Sequence, residues 1–532
     1  MQRIVARIVC RIARMGRVGL AGGNPSGVVV LMSWILACAV TPAHSGGTED
    51  DAAHREKLAA WVTSNRSSIL DELIAFVSIP NVAANVEDMK TNAAHLKGML
   101  EKRGLETRIL ETPTRPYLFA RLGASGAPSS AQPVRVLFYA HFDGQPVDAP
   151  SWTVTAPFTP KLKGDASDRE ARLYARSTAD DKGSIVALLA AIDALRAVGI
   201  APTVEAKFIF DSEEEIGSPS LPELAQQHKE LLAADLLIFA DGPVHQSGRP
   251  TMSFGNRGIV TVTLRMYGPS RPLHSGHYGN WVPNPAEKLS RLITTMKDAD
   301  GRVLVEGFYD DVVPLSATER EALRAIPAVE AELQDELFIA RPEGAGASLQ
   351  EAINLPSLNV RGIASGSVGD EARTIIPSSA TAEIDMRLVK NVTPEAQVER
   401  LKAHVRKQGF HVVDDEPDAA TRRVHAGVVR ITSGPGTPAT RTSMDTPISR
   451  AVIVALRRAV EGEPVLMPTL GGTVPLHHLE AALNVPVYGA PIVNYDNNQH
   501  APDENLRLGN LWDGIVIYAS LLRLPAPDDL AR

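Results

Sequence analysis

Two adjacent carboxylates, Asp180 and Asp181, sit in Leu173-Tyr-Ala-Arg-Ser-Thr-Ala-Asp-Asp-Lys-Gly183, between a short extended run and the apolar segment Ser184 to Val198. In that segment Ile185, Leu188, Leu189, Ile192 and Leu195 share one helical face, and Gly199 stands where a helix would stop. Acids at such a junction have a plain explanation, because Asp is common in turns and in first helical turns. Three further apolar runs weaken that explanation, since each also ends in acids or histidine. They are Val134-Arg-Val-Leu-Phe-Tyr-Ala-His-Phe-Asp143, Val204-Glu-Ala-Lys-Phe-Ile-Phe-Asp-Ser-Glu-Glu-Glu215 and Asp235-Leu-Leu-Ile-Phe-Ala-Asp241. Short, near-continuously apolar runs suit strands buried on both faces. Interleaved with helices, they predict an α/β fold with an open, mostly parallel sheet flanked by helices, where ligands bind beyond the carboxyl ends of the strands. The side chains gathered there are ones that hold hard or borderline cations.

Residues 1 to 39 have a different texture. Arg3, Arg7, Arg11, Arg14 and Arg17 form a basic stretch without acids, Val28 to Val40 is a short apolar run, and Ala37-Cys-Ala39 offers small residues for cleavage. This pattern is that of a secretory signal peptide, so the expected location is exported, periplasmic or extracellular. A retained N-terminal membrane anchor, or lipidation at Cys38, is the alternative. Both cysteines, Cys10 and Cys38, lie in this segment, so after cleavage any metal site must use His, Asp and Glu. Removal of its five arginines takes the formal net charge from −8 to −13. An acidic, aromatic-poor surface argues against nucleic acid and anionic membrane partners.

At 532 residues, two to three domains are expected. Residues 40 to 53 read as a polar linker, His54 to Val77 and Ala84 to Arg103 as helices, and 124 to 133 as a loop. Beyond Asp241 the strands alternate apolar and polar, as in Ile259 to Met266 and Ala380 to Leu388, with helices at Pro285 to Met296 and Thr393 to Gln408. That order suggests an inserted antiparallel domain of ferredoxin-like type, closed by a linker at Ser433 to Pro438. The expected organisation is a catalytic domain in two parts, 50–254 and 438–532, interrupted by a lid at 255–437. Ile448 to Val460 and Leu506 to Leu524 read as helices completing the catalytic domain, while 300 to 350 is partly helical without a clear place.

The motifs carry a family resemblance. Tyr139-Ala-His-Phe-Asp143 with Gln145-Pro146, Trp152 and Pro157-Phe158 resembles the opening motif of peptidase family M20. Arg176-Ser-Thr-Ala-Asp-Asp-Lys-Gly183, Glu214-Glu-Ile-Gly-Ser218, Asp241 and Asn498-Gln-His-Ala-Pro-Asp-Glu504 follow in the family's order. Leu355 to Ile363 and Thr374-Ile-Ile-Pro377 resemble the carnosinase-like dipeptidase branch. Ser177 departs from the pattern, where the family usually has Gly.

The resemblance implies a di-metal hydrolase with Asp180 bridging two cations, Asp241 and His141 completing one set and Glu215 and His500 the other. His141 and Asp143 are two apart at a strand end and leave on the same face, so Asp143 can orient the ring. Among Glu213, Glu214 and Glu215, which could be only an acidic turn, the register to Gly217-Ser218 selects Glu214 as general base and Glu215 as ligand. Zinc is the first expectation for imidazole and carboxylate donors, with manganese or cobalt as alternatives. Gly471-Gly472-Thr473 resembles a loop that binds a substrate carboxylate, although it could be an ordinary turn. Arg387, with Thr374 nearby in the family arrangement, would pair that carboxylate. His274 matches a histidine the family uses near the scissile carbonyl, delivered across a homodimer formed through the lid. The resemblance also implies a cis peptide between Asp180 and Asp181. His477 and His478 match no motif and read as structural. The expected activity is hydrolysis of dipeptides or of C-terminal residues; an N-acyl-amino-acid deacylase is the alternative. A non-catalytic binding protein is disfavoured by the presence of every ligand and of Glu214.

Overall fold

The computed structural model describes residues 49–126, 132–344 and 346–527. The segment 1–39 read as a signal peptide, and residues 127–131 of the expected loop, lie outside them. Strands Arg135–His141, Glu205–Asp211 and Leu236–Phe239 pair in parallel at the centre of an eight-stranded sheet. Their side chains alternate between two cores: Val136, Phe138 and Ala140 pack with Phe208, Phe210 and Ile238 on one face, Leu137 and Tyr139 with Ile209, Leu237 and Phe239 on the other. With oil on both sides, these strands have no polar phase, hence their continuous apolar reading. Tyr117–Leu122 and Glu106–Leu110 extend the sheet antiparallel on one flank. On the other flank stand Val487–Gly489, Thr251–Ser253 and Val465–Met467, with one antiparallel junction. The sheet is therefore mixed, with a parallel centre.

The helix expected over Ser184 to Val198 runs Lys182–Ala197 and is buried on nearly every side, between helices Glu49–Val77 and Leu508–Leu521. Glu49–Val77 begins before the expected His54, so 49–53 is helix and not linker. Its acids at Asp50 and Asp51 sit where the helix dipole favours negative charge, and Asp51 meets Arg458 at 3.1 Å. No helix among the described residues is long and apolar enough to cross a membrane.

The alternating strands form a separate five-stranded sheet in the order Ser357–Ala364, Ser379–Leu388, Gly258–Tyr267, Val428–Ser433, His411–Val413. The first four are antiparallel neighbours in the ferredoxin-like order, and the last adds a parallel edge. Along Ser379–Leu388 every second residue is buried. Those residues and Val260, Val262 and Leu264 cover Leu289 and Leu292 of helix Pro285–Thr294, and Leu401 and Val405 of helix Pro394–Lys407. The latter helix starts at Thr393, whose hydroxyl accepts the Ala396 N–H, with Pro394 at its first position. The unplaced 300–350 stretch folds into short helices Ala317–Ala325, Glu330–Glu336 and Leu349–Ile353. Two of these open with capping boxes, Ser316 with Glu319 and Ser348 with Glu351.

One small sheet matters most for function. Asn505–Arg507 pairs antiparallel with Arg172–Tyr174, which pairs with Lys161–Lys163. That pairing brings the late Asn498–Glu504 motif against the Asp180 turn.

The buried central helix gives a stability test. Leu188 is fully buried, whereas Leu337 is 58% exposed. Leu188→Ala should lower the unfolding free energy by about 2–5 kcal/mol in denaturant titrations. Leu337→Ala should change it by less than about 0.5 kcal/mol. Equal effects would contradict the packing described.

Candidate metal centre

The carboxyl ends of the central strands deliver the expected side chains. His141 ends Arg135–His141, Asp241 follows Leu236–Phe239, and Asp180 stands just before helix Lys182–Ala197. Ligand atoms of His141, Asp180 and Asp241 lie within 4.8 Å of one another, as do those of Asp180, Glu215 and His500. Asp180 belongs to both groups. Its Oδ1 is 2.8 Å from His141 Nε2 and its Oδ2 is 3.0 Å from His500 Nε2. Glu215 Oε2 lies 3.4 Å from the same His500 nitrogen and accepts a 2.6 Å hydrogen bond from Gln145 Nε2.

Asp143 does more than orient an imidazole. Its Oδ1 lies 3.3 Å from His141 Nδ1, and its carboxylate also accepts the Glu214 N–H at 3.2 Å and the Glu215 N–H at 3.0 Å. One buried carboxylate thus fixes both the ring and the tight turn Glu214–Ile216, which Gly217 ends at φ 85°. Glu215 falls in the second donor group, while Glu214 stays outside both and lines the adjoining cavity. Glu213, left unassigned by the sequence, turns away. It is buried, accepts hydrogen bonds from Thr114, from Tyr117 Oη at 3.3 Å and from the Ser220 N–H at 3.0 Å, and holds the turn from behind.

Two supporting acids escaped the sequence reading. Glu504 is fully buried and receives the N–H groups of Ala179 and Asp180 on Oε1, and that of Ser177 with Arg176 Nη1 on Oε2, at 2.8 to 3.0 Å. It cradles the whole Asp180 turn. It stands at the end of the quoted Asn498–Glu504 motif, and being acidic behind a Pro was its only signal. Asp211 accepts Tyr139 Oη at 2.9 Å, Ser218 Oγ at 2.6 Å and the Glu213 N–H at 2.7 Å. Lys182 is also buried, and its Nζ donates to the Phe76 and Ile79 carbonyls at 2.9 Å each.

The Asp180–Asp181 peptide bond is cis. Ser177 has φ 63°, the left-handed region that glycine enters freely, which accounts for the glycine in the family pattern. Here the serine is accommodated, and its Oγ accepts a 2.9 Å hydrogen bond from Asn81 Nδ2.

The cluster is acidic and, apart from His500, largely buried. Burial, reinforced by Asp180, pushes Asp241 up to about 6 and Glu215 up to about 8. Burial likewise raises Glu214 well above the usual carboxylate range, with Asp241, Glu215 and Asp180 adding to the effect. Asp180 goes the other way: although burial opposes it, hydrogen bonds from His141 and His500 hold it well below that range. The bond to Asp180 in turn raises His500 to about 9. Packed carboxylates with two imidazoles and no lysine or arginine among the donors form an oxygen and nitrogen set suited to divalent cations. The residues fit two such ions.

A cavity of about 400 Å³ opens from Asp180, Glu214, Asp241 and His500 toward Arg387 and Gly471-Gly472-Thr473. Arg387 Nη1 donates to Thr473 Oγ1 at 2.8 Å, so the expected carboxylate-binding loop and arginine face the cavity together. Thr374 and His274 do not line it. Leu273–His274 pairs with Ile375–Ile376, and the Ser275 N–H donates to the Thr374 carbonyl, so these two residues sit together. They lie before Ser379, while Arg387 is near the other end of Ser379–Leu388. Eight residues at ~3.3 Å rise separate Ser379 from Arg387 by roughly 26 Å. Within one chain Thr374 is therefore not beside Arg387, where the family arrangement led one to expect it. The His477 and His478 rings lie 3.7 Å apart, tilted by 42°, at the start of helix His477–Leu483, and burial lowers His477 to about 4, in keeping with a structural role.

A sheet whose strand ends assemble two cation-binding groups around one shared aspartate defines a metal-dependent hydrolase. The model of peptidase family M20/M25/M40 matches residues 137–524, and the chain belongs to that family. It is a metallopeptidase on the carnosinase-like branch. It is 26% identical over 483 residues to the Cys-Gly metallodipeptidase dug1 of Schizosaccharomyces pombe, covering 87% of this chain and 97% of that one. The human Beta-Ala-His dipeptidase is 24% identical over 416 residues, 77% of each chain. Among solved structures, the M20 family metallo-carboxypeptidase Sso-CP2 of Sulfolobus solfataricus aligns with TM-score 0.71 at 30% identity, over 86% of this chain and 98% of that one.

The titrations set a signed prediction for the metal-free protein. Glu215 and Asp241 have folded pKa values raised above their unfolded ones, and so does His500. All three bind more protons when folded, so stability is greatest at low pH within their range and is lost as pH rises through about 6 to 9. Melting of chelator-treated protein should fall across that window, and added divalent metal should reverse the fall. A flat or rising profile would contradict the clustered geometry.

Proposed function

We propose that this protein is an exported dipeptidase that works with two divalent cations, zinc foremost, and acts as a homodimer through its lid. The observation that carries the catalytic reading is the shared Asp180, flanked by two donor groups, at one end of a cavity whose other end holds Arg387 and Thr473. At about 400 Å³ the cavity suits a small ligand such as a dipeptide. Arg387, Thr473 and the N–H groups around Gly472 would take the C-terminal carboxylate, which places the amide bond beside Asp180 and Glu214. Cations held by His141, Asp180, Asp241, Glu215 and His500 would supply Lewis acidity toward the amide carbonyl and make a nearby water more acidic.

Glu214 lies on the cavity wall with its backbone fixed by Asp143. Its carboxylate takes a proton from the attacking water as oxygen bonds to the carbonyl carbon. The same carboxyl then gives that proton to the amine nitrogen as the C–N bond breaks. Burial among other acids, which favours the protonated carboxyl, suits it to the second half of that exchange.

Export rests on the arginine-rich start, the apolar Val28 to Val40 and Ala37-Cys-Ala39. The dimer rests on His274 and Thr374, which sit together away from the cavity of their own chain. A neighbouring subunit's cavity would be their place of action, with a His274 ring N–H as donor to the developing oxyanion.

Glu214→Gln should keep both metals and lose at least ~10²-fold in turnover, whereas Glu215→Gln should lose metal. Metal analysis beside assays on dipeptides and N-acetyl amino acids checks this. Metal loss in the first variant, or a preference for N-acetyl amino acids, would overturn the assignment. Mixing inactive His274→Ala with inactive Glu214→Gln under subunit exchange should restore one competent site per hybrid dimer. Verified hybrids that stay dead would end the trans role of His274.

A further inference from the structure

A dipeptide whose carboxylate is held by Arg387, Thr473 and the Gly472 backbone has little freedom in where its last side chain goes. The β-carbon of that residue is only two bonds from the carboxylate carbon, so it must lie against whatever flanks the loop. Leu470 directly precedes the loop, and its Cδ2 lies 3.3 Å from where a β-carbon on Gly242 would stand. Leu470 therefore reaches from the loop to the turn after Asp241. Ile353 comes from a distant segment, the helix Leu349–Ile353, and its Cδ1 lies 4.0 Å from the β-carbon position of Gly471. Gly472 lines the cavity, and a β-carbon there would meet nothing within 4 Å. Bare backbone thus faces open space beside two aliphatic side chains.

Val244, Leu349 and Met467 add carbon to the same wall. Leu349 and Ile353 are only half-buried, so part of their surface remains for a ligand to cover. Their helix is fixed by the Ser348–Glu351 capping box and by Glu330 Oε1, which accepts the Leu349 N–H at 3.0 Å. Ile353 packs against the core that contains Met467 and Leu470. The charged lining is already engaged: Arg387 faces the carboxylate loop, and Asp180, Glu214, Asp241 and His500 belong to the reaction centre. Arg257, behind the loop, spends its Nη2 on the Leu355 carbonyl and the Ser357 hydroxyl and does not line the cavity. His245 and Gln350 do line it, but His245 Nε2 and Gln350 Oε1 are enclosed by protein and unavailable to a ligand.

We infer that Ile353 and Leu470 form the side-chain subsite for the substrate's C-terminal residue and select an apolar residue there, such as leucine. This rests on the dipeptidase reading above. An aliphatic side chain covers the half-buried carbon of Ile353 and Leu349 and releases water from both surfaces. Glycine leaves that carbon wet. An aspartate side chain would give up its hydration beside Ile353 and Leu470 without a countercharge of its own.

The test compares Ala-Leu, Ala-Gly and Ala-Asp on the metal-loaded enzyme and on Ile353→Ala and Ile353→Lys, all checked for unchanged melting. Wild type should favour Ala-Leu over each of the others by at least about tenfold in kcat/KM, the scale of burying a leucine side chain. Ile353→Ala should lower the ratio of Ala-Leu to Ala-Gly by about fivefold. Ile353→Lys should shift the ratio of Ala-Leu to Ala-Asp toward Ala-Asp by about tenfold, which a merely structural role for Ile353 would not do. Calorimetric binding of the same peptides to metal-loaded Glu214→Gln reads the preference apart from turnover. If dipeptides are cleaved but wild type does not prefer Ala-Leu, the subsite is wrong and the dipeptidase reading stands. If none is cleaved, the dipeptidase reading fails, and a calorimetric preference for Ala-Leu below about tenfold overturns the subsite as well. Ratios unchanged in both variants overturn it too.

Discussion

The structure depends on keeping one carboxylate, Asp180, within reach of two imidazoles and three other acids in a buried site. Such a cluster is unfavourable unless something compensates the desolvated charge. At Asp180 compensation comes from the His141 and His500 rings at 2.8 and 3.0 Å and from Gln499 Nε2 at 3.3 Å, while further acids hold the surrounding turns. Glu504 draws in the N–H groups of Ser177, Ala179 and Asp180, and Arg176 balances Glu504 at 2.8 Å. Asp143 does the same for the Glu214–Glu215 turn. Glu504 and Asp143 thus hold the two turns through backbone N–H groups, without using the ligand carboxylates. The fold serves this arrangement, since parallel strands end on one edge and the small Asn505–Arg507 sheet returns the late motif to it.

Two ends of one lid strand stand in different surroundings. Near its junction with the catalytic sheet, Arg387 faces the cavity and bonds Thr473. At the other end of the same strand, His274 and Thr374 share a short exposed ribbon. The length of Ser379–Leu388 thus separates His274 and Thr374 from the cavity that Arg387 lines.

Much of this was legible in the residues. The central strands announced themselves because burial on both faces removes polar alternation, and the lid strands because burial on one face imposes it. The ligands were legible because they stand at the ends of those runs. Less visible were groups whose role is set only by tertiary contact. Glu504 and Asp211 look like any acid after a strand or in a loop until the N–H groups they accept are in place. Leu349–Ile353 is five residues long, too short for a periodic signal, yet it supplies a cavity wall. The start at Glu49 was missed because its first residues are polar, although acids there stabilise a helix end.

The account turns on Asp180 serving both donor groups, and metal stoichiometry measures that directly. Ion content per chain should be two in the wild type and one in His500→Ala. In Asp180→Ala it should fall to none, because the shared ligand leaves both groups at once. An Asp180→Ala protein that folds and still holds one ion tightly would show that the two groups are independent, and would contradict the central claim.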